Sequence, residues 1–513
     1  MRPFLTRRKF LKTAGAAALG ASFAGSFPSC KSTDNTPLST RPHILLVMTD
    51  QHRGDCLGCM GNTVIKTPNL DSIANDGIVF TNGYTASPSC TPARAGLLTG
   101  LSPWHHGMLG YGRIAEKYKF EMPQLLRDSG YYTYGIGKMH FSPQKTLHGF
   151  HGTLVDESGR ADQPDFVSDY RDWFKLNAPG LDPDATGIGW NEHRAGVYAL
   201  DEQLHPTYWT GQKAVELIKN YHLEKPLFLK VSFARPHSPY DPPQRFLDMY
   251  KEEDMPIPYV GNWEGNFADY PMEKNAAFGD FGVDHAKKSR WAYYANVTFI
   301  DEMVGKIVEV LKKNGMYDNT LILFTSDHGD MLGDHHHWRK TYAYEGSANI
   351  PFIMKCPSTI DKGINRGTVF PHPVELRDVL PTFLDAAEAD IPDELDGQSL
   401  LTLVKEENPT WRDYIDMEHS TCYEKHNYWC ALTDGKIKYI YFFSDGTEQL
   451  FDLINDWGEL SELSSNPDHT KTLHLWRERM IAHLSERGES FVKAGQLQVK
   501  KETLLYSPNY PKA

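Results

Sequence analysis

Two apolar runs that each stop at an acid, HILLVMTD at residues 43–50 and TLILFTSDHGD at residues 320–330, constrain what this chain can fold into. A run without polar alternation has no face to offer water, so each reads as a strand covered on both sides, the condition of a central strand in an α/β sheet. Ligands of such sheets collect beyond the carboxyl ends of the strands. Asp50 and Asp327, far apart in sequence, are therefore expected at one edge.

Between these strands Tyr293, Val297, Ile300, Val304, Ile307 and Leu311 recur at alternating spacings of four and three, the stripe of an amphipathic helix. Lys312 and Lys313 suit its negative carboxyl end and Gly315 its stop. FVSDYRDWFKLNAPGLDPDATGIGW and PIPYVGNWEGNFADYPMEKN lack periodicity and read as long ordered loops around a site. After about residue 405 the character changes: ALTDGKIKYIYFFSDGTEQLFDL holds two aromatic runs around SDG, a hairpin signal, and TLHLWRERMIAHLSERG reads as a closing helix. The expected organisation is a leader over 1–30, a linker over 31–40, a large catalytic domain over 41–405 and a smaller α+β subdomain over 406–513. At 513 residues a single small core is excluded.

The leader pairs Arg7 with Arg8 ahead of FLKTAGAAALG, like a twin-arginine export signal. The expected location is outside a bacterial cytoplasm, in the periplasm or on the outer membrane. Cys30 ends the small-residue run and is open both to lipidation and to simple cleavage, so membrane contact is expected only through such an anchor. No later run approaches the length of a spanning helix. Cys56 and Cys59 form a C-x-x-C without a second pair at zinc spacing and read as buried thiols. Cys422 and Cys430 fit either a bridge across a hairpin or two free thiols.

A formal charge of −13 excludes a general nucleic-acid binder, so any anionic ligand needs a local cationic pocket. SCTPARAGLLTG at residues 89–100 offers one. Pro92 suits the first turn of a helix, and Arg94 lies one turn beyond Cys90 on the same face. Cys90 thus stands at a positive helix end beside a cation, an environment for a catalytic thiolate or for a modified cysteine that handles anions. Lys138 and His140, two apart in GIGKMHF, share a face if the segment is extended. His237 is held between Pro236 and Pro239.

Cys90-Thr91-Pro92-Ala93-Arg94 followed by Leu98-Thr99-Gly100 resembles the signature of the type I sulfatases, in which the cysteine is oxidised to formylglycine. Ala93 stands where serine is usual. MTDQHRGD before it and GIGKMHF, RPHSPYDPP, SDHGDMLGDHHHWRK and YEGSANIPFI after it fall in family order, and the similarity runs through most of residues 41–500. The resemblance implies an alkaline-phosphatase-like sandwich with a large mixed, mostly parallel sheet between helices. It also implies a metal site of Asp50, Gln51, Asp327, His328 and the modified Cys90; many relatives have Asp at the Gln51 position and Asn at the His328 position. Oxygen donors favour calcium, with magnesium as the alternative. Lys138 and Lys340 are implied to bind sulfate, His140 to deprotonate the formylglycine hydrate and His237 to act on the leaving oxygen.

The implied reaction is hydrolysis of a sulfate ester after a maturase has acted on Cys90. The expected substrate is a sulfated carbohydrate, with Glu418 and His419 in MEHS on the sugar-reading side and His335, His336 and His337 shaping the pocket. Phosphonate or phosphate ester hydrolysis, a choline-sulfatase-like activity, and an inactive glycan-binding lipoprotein are the alternatives.

Overall fold

A computed structural model describes residues 41–512 except 266, 268, 269, 271 and 361–364. The leader, the linker and Cys30 lie outside the described residues.

Eight strands form the large sheet: β1 (His43–Asp50), β2 (Ile78–Tyr84), β3 (Tyr132–Gly137), β4 (Gly152–Val155), β5 (Leu227–Pro236), β6 (Thr320–Ser326), β7 (Phe352–Lys355) and β8 (Thr368–Glu375). Their order is β4-β3-β5-β1-β6-β7-β2-β8. Only β7 runs against its neighbours, so the sheet is mixed and mostly parallel. The two apolar runs that end in acids lie side by side at its centre. Leu45 and Val47 of β1 join one apolar layer, with the helices Pro206–Lys219 and Val283–Lys313. Ile44, Leu46 and Met48 join the opposite layer, with the helices Cys90–Thr99 and Val379–Ala386. The period-two alternation that the sequence hides in a uniformly apolar run is thus used on both sides. Truncating such a residue to alanine costs about 2–5 kcal/mol.

The helix expected around Tyr293 runs over Val283–Lys313, buries all six stripe residues, and carries Lys312 and Lys313 in its last turn. Gly315 follows at φ 68°. One loop expectation is corrected: Asp169–Asn177 is a helix, started by Ser168, whose hydroxyl accepts the Arg171 N–H at 3.2 Å. Its apolar stripe is short, Tyr170 and Phe174, which is why the surrounding Pro and Gly residues dominated the pattern.

Four antiparallel strands, β9 (Ile415–His419), β10 (Trp429–Thr433), β11 (Ile437–Phe442) and β12 (Glu448–Asp452), form the second sheet in the order β12-β11-β10-β9. The SDG turn joins β11 to β12, with Gly446 at φ 80°. One face of β10, Trp429 and Ala431, packs with Tyr342 and Tyr344 of the large domain. The other, Cys430 and Leu432, packs under the closing helix Thr470–Leu484 through Trp476, Met480 and Leu484. Cys422 and Cys430 are both free thiols. No helix among the described residues is long and apolar enough to cross a membrane.

Candidate active site

The carboxyl ends of β1, β5 and β6 meet the amino end of the Cys90–Thr99 helix. β1 and β6 stay in register to Thr49↔Ser326, so Asp50 and Asp327 leave the sheet together. The Asp327 N–H donates to Thr49 O at 3.3 Å, and the His237 N–H donates to Asp50 O at 3.0 Å. The helix starts after an extended Ser89 at φ −157° and ends at Gly100 at φ 69°. Ligand-type atoms of Asp50, Cys90, Asp327 and His328 lie within 4.8 Å of one another. All four residues are fully buried.

Arg94 clamps this group. Its Nε donates to Asp327 Oδ2 at 2.9 Å and its Nη2 to Asp50 Oδ2 at 3.1 Å. Nη1 donates to Lys138 O at 2.7 Å, tying the end of β3 to the helix. The Lys138 ammonium lies 2.6 Å from Asp50 Oδ2. Burial alone would raise the Asp50 carboxyl, but Lys138, His237, Lys340 and Arg94 hold it well below the usual carboxylate range. Lys340 Nζ donates to Cys90 Sγ and to Gln51 Oε1, each at 3.1 Å. Burial and Asp50 push the Cys90 thiol up, yet Lys340, Lys138 and His328 outweigh them and bring it to about 6. The side chain at position 90 is thereby built to carry negative charge at neutral pH.

The three histidines show where protons can go. His328 Nδ1 faces Gly329 O at 2.9 Å. A carbonyl only accepts, so Nδ1 carries a hydrogen and Nε2 is the ring nitrogen that faces the cluster, 3.3 Å from Cys90 Sγ. His237 repeats this with Ser238 O at 2.9 Å, leaving its Nε2 buried and without a hydrogen-bond partner. His140 accepts from the guanidinium of Arg160. Burial, then Arg160, Lys138 and Arg94, hold His140 well below the usual histidine range; burial and Lys340 do the same for His237. Both are neutral bases at pH 7.

Gln51 is placed by strain and by an acid that the sequence reading passed over. It adopts φ 69°, its N–H donates to Asp327 Oδ1 at 3.0 Å, and its Nε2 donates to Asp330 Oδ2 at 2.5 Å. That bond turns Oε1 toward Lys340. Asp330 also accepts the hydroxyl of Tyr240 and the N–H groups of Leu332 and Arg339, both at 3.0 Å. The second acid of SDHGD was the available signal. Glu157 was also missed; it accepts the Met139 and His140 N–H groups at 3.0 and 2.8 Å, supporting His140 at φ 60°.

Lys138, His140, His237 and Lys340 therefore gather with Asp50, Gln51, Cys90, Arg94, Asp327 and His328. Glu418 does not join them. Arg487 holds its two oxygens at 2.7 and 2.8 Å in a buried pair, so the expectation that it reads sugar is corrected. His419 is fully buried and meets Ser89 Oγ at 2.8 Å, supporting the helix start from behind. His335 pairs with Glu264 at 2.6 Å, and His336 stands 3.7 Å from Glu264 and 3.8 Å from Asp280, bracing the segment that carries Lys340.

The donor set fits a hard divalent cation: two carboxylates, an amide oxygen directed by Asp330, and an imidazole whose Nε2 faces the cluster.

The sulfatase family model matches residues 42–389, and the model described as N-sulphoglucosamine sulphohydrolase, C-terminal, matches residues 333–486. An arylsulfatase of Clostridium perfringens is 39% identical over 89% of this chain and 97% of its own length. A choline-sulfatase of Rhizobium meliloti is 33% identical over 92% and 93%. Among solved structures, the phosphonate monoester hydrolase of Agrobacterium radiobacter superposes with a TM-score of 0.74 at 23% identity, over 87% of this chain and 96% of its own. A structure in complex with its substrate D-glucosamine-2-N,6-O-disulfate superposes with a TM-score of 0.71 at 21% identity, over 87% and 98%. A chain with this fold, this buried cluster and these matches belongs to the sulfatase family, the sulfuric ester hydrolases built on an alkaline-phosphatase-like sheet.

Proposed function

We propose that Cys90, once a maturase has converted it to formylglycine, supplies the nucleophile that cleaves a sulfate ester of a sugar. The observation that carries this reading is the position of Cys90 Sγ, 3.1 Å from Lys340 Nζ and 3.3 Å from His328 Nε2 at a helix start. A hydrated aldehyde has two hydroxyls on one carbon, one to take the sulfuryl group and one to expel it. A plain serine would remain sulfated.

Lys138 and Lys340 hold the sulfate oxygens and gather charge as the S–O bond breaks. His237 starts neutral because Lys340 and burial oppose its protonation. An anionic sulfate beside Lys340 offsets that repulsion, so as the attacking hydroxyl of residue 90 bonds to sulfur, Nε2 takes up the proton it releases and delivers it to the alkoxide that leaves as the ester S–O bond breaks. His140, kept neutral by its surroundings, removes the proton from the second hydroxyl, and sulfate leaves as the aldehyde reforms. Arg94 holds both carboxylates, Asp50 and Asp327, in place. Asp50, Gln51, Asp327, His328 and residue 90 would hold the divalent cation, calcium first and magnesium second, which when bound would add positive charge to the site.

The sugar assignment draws support from the disulfated glucosamine bound by one structural neighbour. The paired arginines of the leader support export to the periplasm or outer membrane, with Cys30 as a candidate lipid anchor. Protein matured in cells should lose sulfur from residue 90 by peptide mass, release sulfate from sulfated monosaccharides, and lose activity on chelation. Retention of an intact thiol in fully active enzyme would defeat the proposal. The superposition on a phosphonate monoester hydrolase favours a second reading, ester hydrolysis at phosphorus on the same scaffold. Turnover of an aryl phosphonate faster than the matching aryl sulfate would select it.

A further inference from the structure

Seven arginines are buried among the described residues. Arg53, Arg94, Arg235, Arg290, Arg377 and Arg487 each hold a carboxylate at 2.5–3.1 Å. Arg339 holds none. It is 8% exposed, its Nε is buried without a hydrogen-bond partner, and its guanidinium lies 4.3 Å over the ring of Tyr423. Burying an ion without a counter-charge is unfavourable, so a cation left in this state calls for an anion that arrives from outside.

Its location says what would bring that anion. Arg339 directly precedes Lys340, whose ammonium touches Cys90 Sγ at 3.1 Å. Tyr423 is 39% exposed and within electrostatic reach of Arg339, Lys340 and Cys90, so the pair links the buried cluster to a solvent-facing ring. Arg339 at φ 68° and Tyr423 at φ 66° both hold left-handed backbone, and Asp330 and Met331 fix the Arg339 main chain. The same Asp330 orients Gln51. The guanidinium is therefore preorganised with its stacking partner beside the sulfate position. The scissile sulfate is already served by Lys138 and Lys340, so the unpaired cation faces the rest of the substrate.

We propose that Arg339 is a specificity-determining residue that pairs with a second anionic group, a carboxylate or a further sulfate, on the alcohol portion of the substrate. This rests on the sulfatase reading above. Esters of dianionic character are then preferred over esters of neutral alcohols, and a cationic alcohol such as choline is disfavoured by like charge. Charge-assisted hydrogen bonds of this kind are worth roughly tenfold to hundredfold in kcat/KM.

The test compares 4-nitrophenyl sulfate, its 3-carboxy and 3-sulfo derivatives, and choline O-sulfate on matured enzyme. The expected result is a kcat/KM at least about tenfold higher for the carboxy or the sulfo ester than for 4-nitrophenyl sulfate, with choline O-sulfate lowest. Arg339→Gln should collapse that ratio toward one, and Arg339→Lys should keep part of it, with unfolding curves confirming that both variants fold. Preference for either anion supports the proposal. A ratio near one in the parent enzyme, a ratio unchanged in Arg339→Gln, or choline O-sulfate as the best substrate overturns it while leaving sulfate ester hydrolysis intact. Failure to hydrolyse any of the four esters overturns the sulfatase reading itself.

Discussion

Two buried charge clusters in this molecule resolve opposite imbalances. Around Cys90, Asp50 and Asp327 face Arg94, Lys138 and Lys340, an excess of cation. At the end of β8, Glu375, Asp378 and Asp416 face Arg377 and Arg412, with His483 4.0 Å from Asp416 and held below the usual histidine range by burial, an excess of acid. Both are sealed from water, so neither can rely on screening. The acidic cluster settles its surplus internally. Burial pushes the Glu375 carboxyl up to about 8, with Asp416 and Asp378 adding to the rise, so one acid keeps its proton at neutral pH. Against burial, Cys90 and Asp50 hold the Lys340 ammonium above its ordinary value, and Asp327 and Asp50 do the same for Arg94, so neither gives up its proton, and the Cys90 cluster must take its compensating charge from a thiolate or from an anionic ligand. One cluster is complete within the fold, and the other is built around a missing partner.

The sharpest way to break this contrast is to remove the group on which the cationic cluster converges. Cys90→Ala should lower kcat on 4-nitrophenyl sulfate by at least about 10⁴-fold, as loss of a nucleophile does, with the unfolding midpoint little changed. Residual turnover near the parent value would show that the cluster only binds anions. In the acidic cluster the signs reverse. Arg377 reaches Asp416 at 2.5 Å and also contacts Glu375. Arg377→Ala strands those acids and should cost about 3–5 kcal/mol in urea unfolding, with the kcat of the folded fraction unchanged. A large fall in kcat without a stability loss would erase the distinction between the clusters.

How much of this was legible in the sequence differs between the same two places. Asp50 and Asp327 each end an apolar run, and Cys90, Lys138, His237 and Lys340 stand in motifs whose order carries a resemblance, so their convergence followed from strand logic and family order together. The long helix was equally open to reading, because its stripe repeats over many turns. Glu418 was misread because its partner, Arg487, lies beyond an intervening helix, and nothing local distinguishes a carboxylate in a buried pair from one facing solvent. Asp330 is silent for a related reason: its work is to accept N–H groups of residues 332 and 339 and the Gln51 amide, contacts fixed by left-handed turns that hydrophobic periodicity cannot encode. The short helix at Asp169–Asn177 buries too few apolar residues to stand out among prolines and glycines.

Lys340 tests whether surplus cation serves a ligand rather than the fold. Its ammonium touches Cys90 and Gln51 but forms no carboxylate pair. Lys340→Ala should lower kcat/KM by about 10²–10³, the loss expected for a preorganised cation on a developing anion. Without a stranded carboxylate, unfolding free energy should move by less than about 1 kcal/mol. A stability loss as large as that of Arg377→Ala would mean that both clusters are structural.

The smallest expected effect concerns the proton held by the acidic cluster. The Glu375 carboxyl titrates near 8 in the folded chain, against an ordinary value of 4.5. Below pH 4.5 the folded and unfolded forms are both protonated, and the group contributes no pH dependence. Between that value and 8 the unfolded form releases its proton while the folded form keeps it, so the native state binds more protons and stability falls as pH rises. Above 8 both forms are ionised and the slope disappears. A glutamine side chain at this position cannot ionise in either state, so the stability difference, Glu375→Gln minus parent, should shift in favour of the variant between pH 5 and pH 6.5 by about 2 kcal/mol. Urea unfolding at the two pH values reads this directly. A difference that stays flat would mean that Arg377 and Arg412 keep Glu375 ionised, and that the acidic cluster, like the cationic one, carries its imbalance uncorrected.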